Sequence, residues 1–425
     1  MAAGSCGHGV TAREVQRACH RAHRSPAIDF AVTLVQTATL HSLPTYVFAE
    51  LDRLKAAARA SGATLVDLGI GSPDLPMAPQ VIDALAAAAA EPGMQGYPPF
   101  RGAPRLFDAI GGFMRERFGV AIDPAREALA LSGAKEGIAG IIAALCGPGD
   151  VALVPEIYYP VYARATWLTG AEVRWIPMRP ADGFVLDLDA IPLADARRAK
   201  LMIVNYPNNP TGARVEREFY DRAVAFARRH DLLLVSDLAY SELTFGGTPA
   251  PSALESDRER EVTLEFHSCS KTFSMAGLRI GFCVGNETAV EALAAYRTNI
   301  GYGTPTAVQH AAAYALEHRA ELVPPKAAAY RARRDAMVAA FTAAGWDIPV
   351  PDATMYLWLP VPAGVDDWTW VKSLIERDGV VVTPGVAFGD GGRGFFRISL
   401  VRDETTLAGA AARIAARRAA LIRAA

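Results

Sequence analysis

Short apolar, β-rich runs alternate with helical stretches through the middle of this 425-residue chain. The predicted strands cover residues 128–132, 151–155, 172–176, 201–205, 232–236 and 262–267, and the predicted helices include 135–145 and 218–230. Strands joined by helical crossovers form a mostly parallel sheet that is covered by helices on both faces. The pattern therefore predicts an α/β fold.

The two ends of the chain follow a different pattern. A helix is predicted after Pro44 and a short strand at 64–70. Residues 306–344 are largely helical and rich in alanine, and predicted short strands at 356–359, 379–383 and 395–400 and a closing helix from Glu404 follow them. This mixture is typical of an α+β domain.

The length of the chain favours two domains, because a single core rarely grows beyond about 300 residues. We expect a large domain at 72–324 and a smaller α+β domain formed by 37–71 together with 325–425. Residues 1–36 carry several arginines and no apolar core, and we predict a disordered N-terminal extension. A start codon assigned too early and a transit peptide are the alternative interpretations.

Composition excludes several classes of function. The net charge is −2 and the pI is near 6.5, so there is no basic excess to bind nucleic acid. Apolar stretches such as 84–90 are far shorter than the roughly 18 residues that a membrane span requires. The five cysteines form no Cys-x-x-Cys pair, which argues against a disulfide framework and a thiolate metal site. We therefore expect a cytoplasmic protein without a bound metal that acts on small molecules.

Lys271 lies in a polar turn just after a predicted strand. An amine in such a turn could react with a carbonyl group. Ser268, Ser270 and Arg279 lie close in sequence, and two hydroxyls with a guanidinium suit a dianionic phosphate. By itself, however, a turn lysine is usually a solvated surface group.

Two further segments carry polar residues at predicted strand ends. Asp237 ends an apolar strand, at the edge of an open α/β sheet where ligands bind. The turn at 132–137, which includes Gly133 and Ala134, follows a strand and opens a helix, so its backbone N–H groups suit a phosphate. A third segment, 204–212, is dense in Asn, Pro and Gly and indicates a tight turn that includes Asn209.

Taken together, these segments resemble the fold type I aminotransferases of class I/II from about residue 37 onward. The strongest match is 268–281, which has the lysine of that family followed by small residues and, eight positions later, Arg279. The resemblance implies a pyridoxal 5′-phosphate enzyme. It also implies a large domain with a mostly parallel sheet of the seven-stranded type, packed beside a smaller α+β domain.

The resemblance assigns catalytic roles to individual positions. It implies that Lys271 binds the cofactor covalently and moves a proton at the substrate Cα, and that Asp237 pairs with the pyridine nitrogen. It implies that Asn209 and Tyr240 hydrogen-bond the phenolic oxygen of the cofactor ring, with Tyr240 also counted as catalytic. Tyr159 is expected to stack on that ring, with the neighbouring Tyr158 as the alternative and core packing as the structural alternative.

The phosphate is expected to be held by one group of residues, namely Gly133, Ala134, Lys135, Ser268, Ser270 and Arg279. Relatives commonly have a hydroxyl residue where this chain has Ala134, so one side-chain hydrogen bond is expected to be missing. Tyr97 resembles the tyrosine that reaches the phosphate of the neighbouring subunit, which implies a homodimer with shared active sites.

Arg397 lies in an apolar, strand-like run near the C-terminus, where a buried charge requires a partner. The resemblance implies that this partner is the substrate α-carboxylate, whose two oxygens suit a guanidinium. Gly71 and Asn209 are expected to complete the substrate site. An ion pair with a nearby carboxylate is the structural alternative.

Within the family, the segments 70–74, 133–138 and 205–210 resemble LL-diaminopimelate aminotransferases and bacterial alanine aminotransferases. 2-Oxoglutarate is the expected acceptor, and residues near Ile70, Tyr97, Tyr302 and 355–356 are expected to distinguish the donors. A carbon–sulfur β-lyase or a decarboxylase on the same scaffold stays open as an alternative. An aminotransferase-like transcription regulator would carry a DNA-binding domain at its N-terminus, and residues 1–36 do not have such a pattern.

Overall fold

The computed structural model describes residues 37–44 and 46–424. The chain divides into two compact units between Ser42 and Leu43. Of the first unit, the described part is residues 37–42, which contain one short helix, Ala38–Ser42. The predicted disordered extension at 1–36 lies outside the described residues.

The elements are numbered along the chain. The strands are β1 Val66–Asp67, β2 Ala128–Leu131, β3 Val151–Pro155, β4 Glu172–Ile176, β5 Ala199–Val204, β6 Leu233–Asp237, β7 Thr263–Ser268, β8 Gly281–Gly285, β9 Tyr356–Pro360, β10 Val380–Val381, β11 Thr383–Pro384 and β12 Phe395–Ser399. The helices are α1 Ala38–Ser42, α2 Val47–Ala60, α3 Pro79–Ala90, α4 Pro104–Phe118, α5 Pro124–Glu127, α6 Ala134–Leu145, α7 Val161–Leu168, α8 Leu193–Ala196, α9 Arg217–His230, α10 Cys269–Thr272, α11 Glu287–Ile300, α12 Thr306–Glu317, α13 Arg319–Ala343, α14 Asp367–Ser373 and α15 Glu404–Ala424. Short 3₁₀ turns occur at Pro180–Asp182, Leu188–Ala190, Ala253–Glu255, Ala276–Leu278, Gly385–Phe388 and Asp390–Gly392, and a π-helical turn occurs at Leu374–Asp378.

In the described part of the chain, seven strands form the central sheet, in the order β2-β8-β7-β6-β5-β3-β4. The pairs among β3, β4, β5, β6 and β7 are parallel, whereas β8 runs antiparallel to both β2 and β7. Every residue of β2, β3 and β7 is buried, as expected for strands that are covered on both faces. The predicted α/β fold with a mostly parallel sheet is confirmed.

Helix α9 illustrates how the covering helices form. Phe219, Ala223 and Ala227 are buried and recur every four residues, which places them on one face of the helix. Packing of that face against the sheet removes apolar surface from water, which stabilises the fold by about 25 cal/mol for each square ångström buried. The helix ends where Asp231 adopts a left-handed backbone conformation with φ of 51°. With its faces covered in this way, the sheet offers ligands the carboxyl ends of its strands.

Residues from both ends of the second unit meet in two small sheets. β11, β12 and β9 form an antiparallel sheet, and β1 pairs in parallel with β10. The strand predicted at 64–70 is too long, because only β1 pairs. The strand predicted at 379–383 is divided: β10 and β11 belong to different sheets, and the chain passes from one to the other at Val382.

The sequence pattern does not predict β8, whose first and last residues are glycines. The predicted domain boundaries stay a prediction. Helix α13 runs without a break across the position at 324/325, with Pro324 and Pro325 inside it. None of the described helices is both long enough and apolar enough to cross a lipid bilayer.

Candidate active site

A cavity of about 430 Å³ opens at the carboxyl ends of the parallel strands. The predicted site residues that line it are Gly71, Gly133, Ala134, Lys135, Tyr159, Asn209, Asp237, Tyr240, Ser268, Ser270, Lys271, Arg279 and Arg397. These residues come from separate motifs along the chain. The fold therefore brings the predicted residues together, with the exception of Tyr97.

Lys271 lies in the single turn of α10, directly after β7. Its Nζ donates a hydrogen bond of 2.6 Å to the backbone oxygen of Gly71. Burial lowers the pKa of the Lys271 amine, and the positive charges of Arg397 and Arg279 act in the same direction. A larger fraction of this amine is therefore neutral, and able to react, than in a solvated lysine.

Asp237 ends β6 and is 6% exposed. Tyr162 donates from Oη to its Oδ2 over 2.6 Å, and the backbone N–H of Ala239 donates to its Oδ1 over 3.3 Å. Burial raises the pKa of Asp237 to about 6, although both hydrogen bonds favour the ionised form. The side-chain amide of Asn205 donates to the backbone oxygen of Asp237 over 2.7 Å and holds the strand end in position.

The opposite end of the cavity suits an anion. Gly133 has a φ of 99° and lies directly before α6, whose first turn presents free N–H groups. Arg279, held in a left-handed conformation, donates from Nη2 to the backbone oxygen of Ser132 over 3.1 Å. The φ of 99° is strained for any residue with a Cβ, and a Cβ there would also lie 2.5 Å from Arg279 Nη2, so glycine is strongly favoured.

The remaining polar side chains at this end are available to a ligand. The hydroxyls of Ser268 and Ser270 make no hydrogen bond to any described residue. Burial, and then the charge of Arg279, lowers the pKa of Lys135. Ala134 contributes no hydroxyl, as expected from the sequence. These hydroxyls, the guanidinium and the helix N-terminus fit a dianionic phosphate.

Arg397 lies in the middle of β12 and is 3% exposed. It donates from Nη1 to Asn209 Oδ1 over 2.8 Å and from Nη2 to the backbone oxygen of Gly69 over 2.7 Å. Its Nε has no hydrogen-bond partner, and no carboxylate pairs with it within the described residues. The alternative of a structural ion pair is therefore not observed, and the buried charge is left for a ligand anion.

The tyrosines near the cavity differ in what they contact. Tyr159 lines the cavity, whereas Tyr158 stacks on Trp175 with ring centroids 5.1 Å apart. Tyr240 is buried, and its hydroxyl lies 2.8 Å from that of Tyr356. An aromatic ring beside a carboxylate, a reactive amine and a phosphate-binding turn fits the ring, the aldehyde and the phosphate of pyridoxal phosphate.

Tyr97 does not reach the cavity of its own chain. It is 80% exposed and stacks on Tyr302 with ring centroids 4.2 Å apart, beside Phe100. A role in a neighbouring subunit stays a prediction. Of the other residues expected to distinguish donors, Ile70 and Tyr356 line the cavity.

Sequence reasoning missed several residues of the site. Tyr162 follows Tyr159 by three positions, a spacing at which two side chains of a helical segment lie near each other and which could have suggested it. Asn205 gave no such signal. Tyr46 and Phe48 line the cavity, whereas the sequence pattern indicates only that they belong to an amphipathic helix.

Comparison with known proteins identifies the family. Residues 63–414 match the family model described as aminotransferase class I and II. An LL-diaminopimelate aminotransferase of Desulforudis audaxviator is 44% identical over 369 residues, which cover 87% of this chain and 94% of that protein.

Solved structures of similar fold support the same family. Apo-BacF from Bacillus subtilis has a TM-score of 0.87 and 34% identity, covering 91% of this chain and 98% of its own. A probable N-succinyldiaminopimelate aminotransferase from Thermus thermophilus has a TM-score of 0.81 and 38% identity, and the match covers 87% of this chain and 99% of that one. This chain belongs to the class I and II aminotransferases, which have fold type I and use pyridoxal phosphate to transfer amino groups between amino acids and 2-oxo acids.

Proposed function

We propose that this aminotransferase takes LL-diaminopimelate as amino donor and 2-oxoglutarate as acceptor. The observation that carries the choice of donor is the group of relatives named LL-diaminopimelate aminotransferase, which are 39–44% identical over at least 85% of this chain. LL-Diaminopimelate differs from alanine in carrying a second charged amino-acid group. The cavity should therefore hold a charge that alanine does not use.

Lys135 supplies such a charge. It lines the cavity together with Arg279 and Arg397, and within the described residues no carboxylate pairs with it. Its Nζ lies 6.0 Å from the centre of the Tyr159 ring. In this proposal Arg397 binds the carboxylate next to the reacting carbon, and Lys135 favours donors that carry a second carboxylate.

The roles of the remaining residues follow from their environments. Bound pyridoxal phosphate supplies a ring that withdraws electrons from the substrate Cα when its proton leaves. Lys271 holds the cofactor and then carries that proton, since its lowered pKa leaves part of the amine neutral. Asp237 holds a proton on the ring nitrogen through its negative charge.

Binding of the cofactor is assigned to two groups of residues. Asn209 and Tyr240 bind the phenolic oxygen, and Tyr159 stacks on the ring. The phosphate is assigned to the backbone of the turn at Gly133, Ala134 and Lys135 and to the side chains of Ser268, Ser270 and Arg279. Gly71 closes the substrate side, where its backbone oxygen contacts Lys271.

The donor can be identified by mixing purified holoenzyme with single amino acids and following the absorption of the bound cofactor. We expect LL-diaminopimelate to react at least about tenfold faster than alanine, since a second charged contact contributes roughly 1.5 kcal/mol or more. Equal rates with alanine would contradict the proposed donor. Release of pyruvate and sulfide from sulfur amino acids would instead support the β-lyase alternative.

Lys135→Met provides a matched control for this screen, because methionine keeps the apolar stem and removes the charge. We expect KM to rise for LL-diaminopimelate and to stay unchanged for alanine. If the variant instead loses affinity for the cofactor and affects both donors equally, Lys135 binds the cofactor phosphate and does not select the donor.

We also propose a homodimer in the cytoplasm. The stacked, exposed rings of Tyr97, Phe100 and Tyr302 support an interface, and three buried free cysteines, Cys146, Cys269 and Cys283, fit a reducing compartment. Mixing Tyr97→Ala with Lys271→Ala subunits tests sharing. If Tyr97 serves its partner, each hybrid dimer regains one intact site of two. An equimolar mixture, in which about half of the dimers are hybrids after exchange, then regains about a quarter of wild-type activity. Absence of any recovery after subunit exchange would contradict shared sites.

A further inference from the structure

Tyr356 has a place in the cavity that the motifs around Lys271 do not explain. It begins β9, lines the cavity and is 2% exposed. In the antiparallel pair of β9 and β12, Arg397 lies opposite Trp358, so Tyr356 is its diagonal neighbour on the same face. Its side chain can therefore contact both Arg397 and residues at the end of β6.

The first contact is with Tyr240. The two phenol oxygens lie 2.8 Å apart, and neither hydroxyl has another hydrogen-bond partner among the described residues. In such a pair one hydroxyl donates, and the other keeps its proton for a different acceptor. When Tyr356 donates, Tyr240 is left to donate into the cavity, and accepting a hydrogen bond makes its own O–H a stronger donor.

The second contact is with Arg397. Its guanidinium carbon lies 4.3 Å from the centre of the Tyr356 ring and 4.7 Å from that of Phe388. A cation over an aromatic face is attracted to it without the use of any N–H donor. The ring therefore fixes the plane of the guanidinium and leaves its remaining N–H donors, Nε among them, to a carboxylate.

The surroundings hold Tyr356 in position. A Cβ at residue 71 would overlap the Tyr356 hydroxyl, so only glycine fits there. Thr354, fully buried, adopts a φ of 70°, which is rare for a β-branched residue and costs on the order of 1–3 kcal/mol. Its N–H donates to the backbone oxygen of Leu243 over 2.8 Å.

From these contacts we propose that Tyr356 is a positioning residue that orients both the Tyr240 hydroxyl and the Arg397 guanidinium. The proposal rests on the aminotransferase function given above. Its two halves are separable, because the hydroxyl acts on Tyr240 and the ring acts on Arg397. Tyr356→Phe removes the first contact alone, and Tyr356→Leu removes both.

The test uses purified holoenzyme loaded with pyridoxal phosphate. For Tyr356→Phe we expect the pH midpoint of the visible absorption of the cofactor to rise by roughly half a unit, as for loss of one neutral hydrogen bond. A weaker donor from Tyr240 leaves more negative charge on the phenolic oxygen, which retains a neighbouring proton to higher pH. With L-glutamate as donor, kcat should fall about threefold and KM should stay within twofold.

For Tyr356→Leu we expect an additional rise in KM for L-glutamate of about three- to tenfold relative to Tyr356→Phe, from loss of the ring. In a Tyr240→Phe background, Tyr356→Phe should not move the midpoint further. Tyr330→Phe is the matched control, since Tyr330 is buried and its hydroxyl has no partner within the described residues.

An unchanged midpoint in Tyr356→Phe, or a full additional shift in the Tyr240→Phe background, overturns the hydroxyl half of the proposal. Equal KM in Tyr356→Phe and Tyr356→Leu overturns the ring half. The midpoint requires no donor, so it decides the hydroxyl half even if the proposed donor proves wrong. Melting temperatures and cofactor content of each variant separate these effects from misfolding.

Discussion

The cavity has two walls of different origin. One, here the sheet wall, consists of Asp237, Ser268, Ser270, Lys271 and Arg279, which lie at or shortly after the ends of β6 and β7. The other, here the cap wall, consists of Tyr46, Gly71, Tyr356 and Arg397, which come from both ends of the second unit.

The walls differ in how the chain assembles them. The bond from Arg397 to the Gly69 oxygen joins positions 328 residues apart, and the bond from Lys271 to the Gly71 oxygen spans 200 residues. The sheet wall carries the groups that fit the cofactor, and the cap wall carries the charge that is left for a substrate. Substitutions in the sheet wall should therefore impair chemistry, and substitution of Arg397, which carries the charge of the cap wall, should impair substrate binding.

The largest effect is expected at the centre of the sheet wall. Lys271→Ala should lower kcat by at least about a thousandfold, because it removes the residue proposed both to hold the cofactor covalently and to move the proton. The cofactor should still bind through the phosphate end, as measured by its content after gel filtration. Borohydride reduction should label Lys271 in the wild type; labelling of another lysine, or near-normal turnover of the variant, would contradict the assignment.

Asp237 makes a second prediction for the sheet wall, on stability. Its pKa is raised from 3.8 to about 6, so between about pH 4 and pH 6 the folded apoenzyme retains a proton that the unfolded chain has lost. Rising pH should therefore reduce the free energy of unfolding by up to about 3 kcal/mol, with no further loss from this group above that range.

Asp237→Asn removes the titrating group, so comparison with the wild type separates the pH-dependent contribution of Asp237 to the free energy of unfolding from that of all other carboxylates. As pH rises from about 4 to about 6.5, the wild-type apoenzyme should lose stability relative to the variant apoenzyme, as measured by thermal unfolding. A difference that stays constant across this range would show that Asp237 titrates near its ordinary pKa.

In the cap wall, Arg397→Ala should raise KM for amino and oxo acids by about fiftyfold, since the proposed role of Arg397 gives it two charge-assisted hydrogen bonds to the substrate carboxylate. Effects on kcat should be smaller than those on KM. Arg393→Ala is the control, because Arg393 is exposed and pairs with Asp390. An unchanged KM for every substrate would mean that Arg397 stabilises the fold and does not bind the substrate carboxylate.

The same contrast explains what the sequence could predict. The sheet wall was predicted residue by residue, because its members lie in contiguous motifs at strand ends. The strands of the central sheet were also predicted closely, except β8, because buried parallel strands are continuous apolar runs. Glycines at both ends of β8 obscured it.

The contacts of the cap wall could not be predicted in this way. No local pattern indicates that Arg397 lies against Gly69, or that Tyr356 meets Tyr240, since each contact depends on how distant segments pack. Tyr162 and Asn205 were missed for a related reason: their hydrogen bonds, to the side chain and to the backbone oxygen of Asp237, join separate segments of the chain.

The smallest effect is expected at Tyr162, which supports the sheet wall through Asp237 but does not itself line the cavity. Tyr162→Phe keeps the ring and removes the 2.6 Å hydrogen bond to Asp237. That bond favours the ionised carboxylate, so its loss should raise the pKa of Asp237 further above its ordinary value. Less Asp237 is then ionised at neutral pH, and kcat at pH 7 should fall by about twofold to tenfold while KM changes little, since a hydrogen bond to a charged group contributes roughly 1.5–3 kcal/mol.

The sign of the pH dependence distinguishes this role from general damage. Activity of Tyr162→Phe should recover towards that of the wild type as pH rises from about 7 to about 9, because Asp237 regains its charge. Tyr158→Phe, which alters the neighbouring tyrosine that stacks on Trp175, should keep the wild-type profile. A loss in Tyr162→Phe that is the same at every pH would mean that Tyr162 supports packing and does not control the charge of Asp237.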